Sequence, residues 1–379
     1  MIIEKGNSYI NPKKSIRFKI FIACLIFLFL VIACILLIVM IPKVRYDNAI
    51  KLMNDGKYNE AISAFEEHKE YKDSEIKIEE CKKAIIDNKY NNTLELMTKE
   101  MYTEAISAFE ELDGYKDSKL KIEECKNAII EKNYMKALKL MNEGKIQDAH
   151  DVFLQLGDYK DSILKIEFIN EIKQLNNVIV GDYIKFGKYE QDNNFSNGKE
   201  KIEWLVTDKK DGKILLLSKY LLDYKKYNSS YIETTWESCT LRKWLNNDFY
   251  TIAFSADEQS LISKEKVSAD HNPKHETNPG NTTQDNIFLL SGLEAKKYFD
   301  SDDARKCSPT EYAAAVTNGM WKISSGPCWW WLRTPGRTQS DASLVATNGI
   351  VDYLGDYVIS RAPIGVRPAL WIDLNDNTK

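Results

Sequence analysis

The chain has 379 residues, with 52 basic and 56 acidic side chains and a formal net charge of −4. A charge this small provides no electrostatic basis for binding nucleic acid, so no nucleic-acid partner is predicted. The length is sufficient for about two or three folded domains.

An apolar run at Ile20–Ile41 predicts a membrane-spanning helix. Its 22 residues include no charged residue and no Asn, Gln, Gly or Pro. A helix of that length, rising about 1.5 Å per residue, crosses a hydrocarbon core of roughly 30 Å. The lipid bilayer is therefore the predicted partner of this segment.

A cleaved signal peptide and a lipoprotein signal ending at Cys34 are the two alternatives for this run. The run is longer than the apolar core of a signal peptide, and no small-residue cleavage site follows Ile41. After Cys34 the chain stays apolar for seven more residues, which does not fit a processed lipoprotein. The sequence therefore favours an anchor that is retained.

The basic residues on either side of the run predict its orientation. Five lie in the fifteen residues before the run, and three lie in the fifteen residues after it. Because cytoplasmic flanks are richer in Lys and Arg, residues 1–19 are predicted to form a cytoplasmic tail. The rest of the chain is then extracellular, and the protein belongs to the cell membrane as a single-pass protein.

Residues 45–175 repeat with a period of 44. Apolar residues three and four apart predict two helices in each unit, with a serine at the start of the longer helix. A tight turn is predicted at Gly56 and Gly144, and Glu100 takes that place in the middle copy. The recurring segments are Ala61–Phe65 with Ala105–Phe109, and Tyr71–Ser74 with Tyr115–Ser118 and Tyr159–Ser162.

This repeat resembles the tetratricopeptide class. The segment Gly56-Lys-Tyr-Asn-Glu-Ala61 matches the turn and helix signature of that class, although its units usually have about 34 residues. The resemblance implies about three helical hairpins. Such an array binds protein partners on its concave face or serves as a spacer, and the sequence leaves both open.

Beyond residue 177 the helical pattern gives way to a mixture of strands and helices. All eight tryptophans lie beyond residue 200, and short β-type runs alternate irregularly with helical segments. Asp211-Gly212 and Asn348-Gly349 predict hairpin turns. Residues 178–375 are therefore predicted to form an α+β domain. The whole chain is predicted to be multidomain, with one transmembrane helix, an all-α repeat array and this α+β domain.

Two further elements of this domain are predicted from local signals. Ser308 and Pro309 have the residue types that cap and begin a helix. The segment Gly365–Ile372 is predicted to be one closing strand, because it is rich in apolar residues.

Seven ordered motifs in this domain resemble an uncharacterised bacterial family of domains, family 6273, from Firmicutes surface and secreted proteins. The similarity covers about residues 178–374, and the family has no assigned activity. The Trp-rich strand and the closing Gly-x-Arg-Pro strand are also similar to C-type-lectin-like and sulfatase-modifying-factor-like folds. The motifs are Phe186-Gly-Lys-Tyr189, Ile202-Glu-Trp-Leu-Val206, Leu215-Leu-Leu-Ser-Lys219, Leu241-Arg-Lys-Trp-Leu-Asn246, Ile287-Phe-Leu-Leu-Ser291, Trp330-Trp-Leu-Arg-Thr-Pro-Gly336 and Gly365-Val-Arg-Pro-Ala-Leu370.

Trp330 and Trp331 are candidate ligand-binding residues within the run Trp329–Trp331. In a strand, neighbouring side chains point to opposite faces, so at least one of these rings is expected in the core. An exposed ring would instead stack on a sugar or a peptide. Core packing is the favoured interpretation, and the binding role is the alternative.

Arg333 and Arg367 are the other candidate ligand-binding residues. A guanidinium group can hold a carboxylate through two hydrogen bonds at once. Internal pairing, for instance with Asp341 or Asp352, is the favoured alternative.

No catalytic residue, metal ligand or cofactor is predicted. His271 and His275 are four residues apart, but Pro273 between them argues against the helix that would bring both to one metal. The sulfatase-modifying oxidases use a closely spaced cysteine pair, and this domain has no such pair. Its thiols, whose disulfide state the sequence leaves open, are Cys239, Cys307 and Cys328.

These features together predict a membrane-anchored surface protein. The repeats would space it from the membrane or bind protein partners. The C-terminal domain would bind a cell-wall glycan or a peptide without catalysing a reaction. The alternatives are a cell-envelope enzyme that uses the C-terminal domain, and a purely structural adaptor that acts through the repeats.

Overall fold

The structure, a computed structural model, describes residues 12–316 and 326–375. Residues 1–11 of the predicted cytoplasmic tail and Trp321 lie outside the described residues. The chain divides into two units, Met1–Lys132 and Asn133–Lys379.

A long N-terminal helix contains the predicted membrane span. Helix α1 (Pro12–Ile35) continues through a π-helical turn (Leu36–Met40) into helix α2 (Ile41–Asn54). Pro42 has no N–H to donate to the preceding turn, which accounts for the irregular hydrogen bonding there. The helix is long and apolar enough to cross a membrane, as the sequence predicts. Its orientation stays a prediction.

The region after this helix, up to residue 177, is entirely helical among the described residues. Its shorter helices begin 44 residues apart, and so do its longer ones, which agrees with the sequence period. The bounds are α3 Tyr58–Glu66, α4 Ser74–Thr98, α5 Tyr102–Glu110, α6 Ser118–Asn142, α7 Ile146–Leu156 and α8 Ser162–Asn177.

The recurring Tyr-Lys-Asp-Ser segment links neighbouring helices of each hairpin. In the middle copy, the Tyr90 hydroxyl donates a hydrogen bond to Asp117, and Ser118 Oγ donates to the Tyr115 carbonyl at 2.5 Å. The Lys116 ammonium lies 4.7 Å from the centre of the Tyr90 ring, as expected for a cation–π contact. The equivalent hydroxyl–carboxylate pairs, both at 2.5 Å, are Tyr46–Asp73 and Tyr134–Asp161.

The described part of the second unit beyond residue 177 combines strands and short helices, which confirms the predicted α+β class. The strands are β1 Tyr183–Tyr189, β2 Glu200–Lys210, β3 Lys213–Ser218, β4 Asp223–Tyr224, β5 Ile262–Ser263, β6 Glu265–Val267, β7 Thr283–Asp285, β8 Ile287–Phe288, β9 Trp330–Pro335, β10 Asp341–Val345, β11 Val351–Tyr357, β12 Gly365–Val366 and β13 Ala369–Asp373. The helices are α9 Thr240–Trp244, α10 Tyr250–Ala253, α11 Ala256–Leu261, α12 Gly292–Lys297, α13 Asp302–Arg305 and α14 Glu311–Val316, with a π-helical turn at Leu245–Phe249.

Two larger sheets organise this region. The first has the strand order β1-β2-β3-β13-β5, with β8 also paired to β13, and the second has the order β11-β10-β9-β12-β4. Asp211 and Gly212 both have positive φ, +51° and +73°, in the hairpin between β2 and β3. Gly349 (φ +84°) lies between β10 and β11. The predicted Asp-Gly and Asn-Gly turns are therefore confirmed.

The prediction that Gly365–Ile372 forms one closing strand is wrong. The chain forms β12 in one sheet and β13 in the other, with Arg367 and Pro368 between them. Pro368 has no N–H for a strand ladder, so the pairing is interrupted at that position.

The predicted helix start at Ser308 and Pro309 is also wrong. Ser308 accepts a backbone hydrogen bond from Leu221, and Pro309 forms a β-bridge with the same residue. The helix begins at Glu311 instead, and Thr310 Oγ1 accepts a hydrogen bond from the Ala313 N–H at 3.1 Å. Pairing with a distant segment has overridden the local capping signal.

Helix α8 belongs to the same hydrophobic core as the two sheets. Phe168, Ile172 and Leu175 are buried and pack in one cluster with strand residues such as Phe186. The last described helix of the repeats is thus part of the second unit. This packing brings polar residues of α8 against strand β2 and helix α11.

Candidate functional site

The predicted residues Trp330 and Trp331 are both fully buried. Their indole nitrogens donate hydrogen bonds to the carbonyls of Arg305 at 3.2 Å and Lys225 at 2.8 Å. The two rings point to opposite faces of β9, and both faces of that strand are covered. Of the three adjacent rings, Trp329 alone reaches the surface, with 37% of its area exposed. The ligand-binding role of Trp330 and Trp331 stays a prediction.

Arg333 is buried and fully engaged by groups of the protein. Its guanidinium makes two hydrogen bonds to the Glu294 carboxylate, at 2.5 and 2.8 Å. It also donates to the carbonyls of Ser268 at 2.8 Å and Leu289 at 2.7 Å. Internal pairing is therefore present, with Glu294 as the partner.

Arg367 is buried and binds backbone carbonyls. It donates to Ser218 at 3.0 Å and to Arg305 at 3.3 Å, and its guanidinium lies 5.0 Å from the centre of the Trp330 ring. The suggested pairing of the arginines with Asp341 or Asp352 is wrong. A ligand-binding role for Arg333 and Arg367 stays a prediction.

The motifs that carry the family resemblance thus meet in space. Gly365 of β12 pairs in parallel with Trp330 of β9, and Arg367 stacks on the same ring. Residues 211–374 match the family model of a domain of unknown function, DUF6273. The chain has no match among the curated proteins or among solved structures.

Two tyrosines of the DUF6273 region have aromatic rings that are more exposed than the ring of Trp329. Tyr231 and Tyr357 are 56% and 50% exposed, and their ring centres are 5.5 Å apart in an edge-to-face arrangement. This pair was not predictable from the sequence, because the two residues are far apart in the chain.

The histidine loop of the DUF6273 region is held by Asn272. Its side-chain nitrogen donates hydrogen bonds to the carbonyls of Pro335, Gly336 and Tyr353. Its side-chain oxygen accepts hydrogen bonds from the backbone N–H groups of Lys274 and His275. His275 Nε2 is buried and has no hydrogen-bond partner within the described chain. His271 and His275 do not share a cluster of metal-ligating groups among the described residues.

Three carboxylates outside the DUF6273 region come together at one loop. The ligand atoms of Glu190, Asp192 and Glu200 lie within 4.8 Å of one another. Backbone N–H groups of this loop already bind them: Asn194 donates to Glu190 at 3.0 Å, and Gln191 donates to Glu200 at 2.8 Å. These hydrogen bonds account for the cluster, and we assign no metal to it.

The three cysteines of the DUF6273 region are free thiols. Burial raises the pKa of the Cys239 thiol to about 12 and also raises the pKa of Cys307. A raised pKa disfavours the reactive thiolate. The Cys328 N–H donates to the Cys307 carbonyl at 2.9 Å, so two cysteines that are distant in sequence have adjacent backbones.

A cleft of about 560 Å³ is the strongest candidate site in the second unit. Helix α8 provides Phe168 and Glu171 to its wall, strand β2 provides Lys201, and helix α11 provides Glu258. Glu258 lies in the DUF6273 region, whereas the α8 and β2 residues precede it. The cleft therefore depends on the packing of α8 against that region.

Glu171 has an unsatisfied carboxylate in this cleft. Its side chain is buried, with 8% of the residue exposed, and one oxygen accepts a hydrogen bond from Lys201. The other oxygen, Oε2, is buried and has no hydrogen-bond partner among the described residues. Lys201 also lies 3.4 Å from Glu258, whose oxygens accept further hydrogen bonds from the N–H groups of Gly187 and Ser255.

The environment of Glu171 changes its acidity. Burial raises the pKa of its carboxyl from 4.5 to about 7, the hydrogen bond from Lys201 opposes that change, and the charge of Glu258 adds to it. Near neutral pH this carboxyl therefore exists in both protonation states. A strongly perturbed carboxyl in a cleft is a feature of functional sites.

The remaining lysines in the wall of the cleft are already engaged. Lys165 pairs with Asp257 at 2.7 Å, and Lys199 donates to the Ile252 carbonyl at 2.8 Å. Lys188 lies 3.5 Å from Glu167. Five acidic residues and four lysines line the cleft. The lining residues of the cleft therefore carry one net negative charge when all of them are ionised. The group without a hydrogen-bond partner, Oε2 of Glu171, is an acceptor in that state.

Glu171, Lys201 and Glu258 were not among the site residues predicted from the sequence. A signal for Glu171 was available: it lies three residues after Phe168 and four before Leu175, so it interrupts the apolar face of its helix. Glu258 was visible only as the last residue of a Ser-x-x-Glu capping box. Lys201 carried no signal, because a lysine at the end of a strand is usually solvated.

Proposed function

We propose that this chain is a single-pass membrane protein that displays a non-catalytic ligand-binding unit, with the ligand held in the cleft beside Glu171. One observation carries the proposal: the buried carboxylate of Glu171 lines an open cleft, and one of its two oxygens has no hydrogen-bond partner among the described residues. An unsatisfied buried polar atom costs about 1–3 kcal/mol. A ligand that donates a hydrogen bond to this oxygen removes that cost.

The N-terminal helix supports the anchoring part of the proposal. The span around Ile20–Ile41 is apolar, and the side chains of its middle, such as Phe27 and Phe29, are exposed. Exposed apolar residues over such a length are suited to a lipid environment. The basic residues before the span favour a cytoplasmic N-terminus, which puts the ligand-binding unit outside the cell.

We assign the helices of residues 45–175 to a tetratricopeptide-like array that serves as a spacer or binds protein partners. The regular recurrence of helix starts and of the Tyr–Asp hydrogen bond supports this assignment. For residues 178–375 we propose a C-type-lectin-like domain, supported by the Trp-rich strand β9 and the Arg-Pro turn between β12 and β13.

The chemistry of the thiols favours binding over a cell-envelope enzyme that resembles the sulfatase-modifying oxidases. Burial raises the pKa of both Cys239 and Cys307, so a thiolate nucleophile is disfavoured at either position. A purely structural adaptor is the second alternative. The cleft argues for the binding role, because an adaptor that acts through the repeats has no use for an unsatisfied carboxylate in the second unit.

The proposal is tested by measuring ligand binding to the full chain in lipid nanodiscs. Cell-wall muropeptides, oligosaccharides and short peptides are screened by thermal shift, and binders are titrated calorimetrically. We expect Glu171→Gln to weaken binding by about tenfold or more, which is at least about 1.4 kcal/mol. The matched control is Glu276→Gln, which changes an exposed glutamate in the histidine loop.

Two results would contradict the proposal. Equal binding by the wild-type protein and the Glu171→Gln variant would show that the cleft is not the site. Failure of the entire panel to bind would leave the chain without a ligand-binding function of this kind and would favour the adaptor.

A further inference from the structure

We propose that the ligand carries a primary ammonium group on an aliphatic chain, as a lysine side chain does, and that this group binds Oε2 of Glu171. The inference rests on the proposed function above, since it specifies the chemistry of the same cleft. It depends on the hydrogen-bonding state, charge and lining of the cleft.

When Glu171 is ionised, the cleft has one acceptor without a donor among the described residues. Lys201 occupies the other oxygen of Glu171, and both oxygens of Glu258 accept backbone N–H groups. Oε2 of an ionised Glu171 can only accept. A donor must therefore come from a ligand or from water, unless Glu171 itself is protonated.

The charge of the cleft favours a cation over a neutral donor. Glu171 and Glu258 carry two negative charges when ionised, and Lys201 between them carries one positive charge. A hydroxyl or a water molecule would satisfy the oxygen but would leave the buried group with one net negative charge. An ammonium group satisfies both the oxygen and the charge, and its hydrogen bond to a carboxylate is stronger than a neutral one.

The apolar lining suits an aliphatic chain attached to the ammonium group. Leu164 and Ile252 are exposed, at 59% and 47%, whereas Phe168 and Phe254 are buried. Apolar side chains therefore continue from the surface into the cleft. A lysine-like chain can pack its methylene groups along such a wall while its charged end reaches a polar group.

Other charged groups face the same cleft, and all but Lys199 of those described form ion pairs with one another. They lie on α8, β1 and α11 and directly before α8 and β2. They include Lys165 with Asp161 and Asp257, and Lys188 with Glu167. Lys199 donates to a backbone carbonyl. Lys165 and Lys188 are therefore compensated by carboxylates, whereas Lys199 has no carboxylate partner among the described residues.

Binding of the ammonium group is coupled to loss of a proton. The bound state needs Glu171 ionised, whereas the free cleft holds a mixture of protonated and ionised carboxyl near pH 7. The proton leaves Glu171 Oε2 and goes to the buffer, and no covalent bond to the ligand forms. Affinity therefore rises by about tenfold from pH 6 to pH 8, as the ionised fraction of a group with a pKa of about 7 rises.

The test uses Nα-acetyl-lysine methylamide as the probe and Nα-acetyl-norleucine methylamide as its uncharged counterpart. Both are titrated calorimetrically into the full chain in lipid nanodiscs at pH 6, 7 and 8. At pH 7 the titration is repeated in two buffers with different enthalpies of ionisation, which measures the proton release directly. The variants are Glu171→Gln, which keeps the shape of the side chain, and Glu276→Gln as the exposed control.

We expect saturable binding of the lysine probe, weaker binding at pH 6, and proton release at pH 7. Glu171→Gln should lose about tenfold or more in affinity and all of the proton release, whereas Glu276→Gln should behave as wild type. A far-UV circular dichroism spectrum and an unfolding curve of Glu171→Gln show that it is folded.

Equal binding of the lysine and norleucine probes would overturn the ammonium inference and leave the proposed cleft function in place. The ammonium inference would also fail, and the proposed cleft function would stand, if the lysine probe did not bind but a ligand without an ammonium group bound in a Glu171-dependent way. Failure of the lysine probe together with every ligand of the broader panel would overturn both.

Discussion

The half-buried ammonium group of Lys201 forms an ion pair with the buried carboxylate of Glu171, and this pair satisfies only one of the two carboxylate oxygens. The pair joins helix α8 to strand β2, and its ammonium group also contacts Glu258 of helix α11. Three elements thus meet at one positive charge, and one carboxylate oxygen of Glu171 has no hydrogen-bond partner among the described residues. A site that existed only for stability would gain from a second donor or from an apolar replacement.

Glu171 should make the stability of the second unit depend on pH. Because the pKa of its carboxyl rises from 4.5 to about 7 on folding, the folded protein holds this proton more tightly than the unfolded chain does. The resulting stabilisation is complete below pH 4.5 and is lost as the pH rises through about 7. Between pH 4.5 and about 7, we expect the free energy of unfolding of the wild-type protein to fall by up to about 3 kcal/mol relative to that of Glu171→Gln.

Urea unfolding at pH 5 and pH 8, followed by tryptophan fluorescence, measures this difference. All eight tryptophans lie beyond residue 200, so the signal reports on the second unit. Titration of other groups cancels when the variant is compared with wild type. Identical pH dependence in both proteins would mean that Glu171 is ionised in the folded state at pH 5.

Arg333→Lys should destabilise the second unit strongly. Lysine cannot reproduce the two parallel hydrogen bonds to Glu294, and it would leave the carbonyls of Ser268 and Leu289 without their present donor. The expected loss is about 3 kcal/mol in the free energy of unfolding, measured by urea titration. Arg337→Lys changes an exposed arginine and should alter stability by less than about 0.5 kcal/mol. Similar values for the two variants would contradict the role of Arg333.

The turn at Glu100 offers a test of backbone strain in the first unit. Glu100 has a φ of +57°, whereas the equivalent residue of the first repeat, Gly56, has a φ of +76°. The left-handed conformation costs a non-glycine residue about 1 kcal/mol. Glu100→Gly should therefore raise the free energy of unfolding by up to about that amount, since its exposed ion pair with Lys132 contributes little.

Gly56→Ala is the reciprocal variant for this turn. A methyl group there would meet no atom within 4 Å, so its expected cost of about 1 kcal/mol arises from backbone conformation alone. Far-UV circular dichroism during urea unfolding follows the helices in both variants. A stability change of the same sign in both would show that the turn is not strained at Glu100.

The orientation of the anchor can be tested on intact cells. If the N-terminus is cytoplasmic, an external protease should remove the region after Ile41 and leave an N-terminal tag protected. Deletion of residues 1–41 should release the remaining chain from the membrane fraction. Protection of the C-terminal region in intact cells, with cleavage only after permeabilisation, would reverse the orientation.

Local signals in the sequence were sufficient for much of the fold. The apolar run Ile20–Ile41, the period of 44 and the Asp211-Gly212 turn each depend on residues that are close together in the chain. Helix formation and hairpin turns are governed by hydrogen bonds over a few residues and by allowed φ values. These features were therefore predictable without knowledge of the tertiary structure.

The partners of buried polar groups were decided only by the tertiary structure. Arg333 pairs with Glu294, which lies 39 residues earlier, instead of with an aspartate after it. Lys201 meets Glu171 and Glu258 from 30 and 57 residues away. Sequence indicates that an arginine or a glutamate in an apolar context needs a partner, but packing of distant elements selects it.

A long apolar N-terminal helix, helices that recur every 44 residues and a mixed C-terminal part were all predictable from the amino-acid sequence, because short-range interactions govern each of them. The burial of both Trp330 and Trp331 and the position of Glu171 in the wall of a cleft became visible only in the folded structure. The tertiary structure also divided Gly365–Ile372 between two sheets. Burial and charge pairing depend on which surfaces come together, and that is a property of the folded chain as a whole.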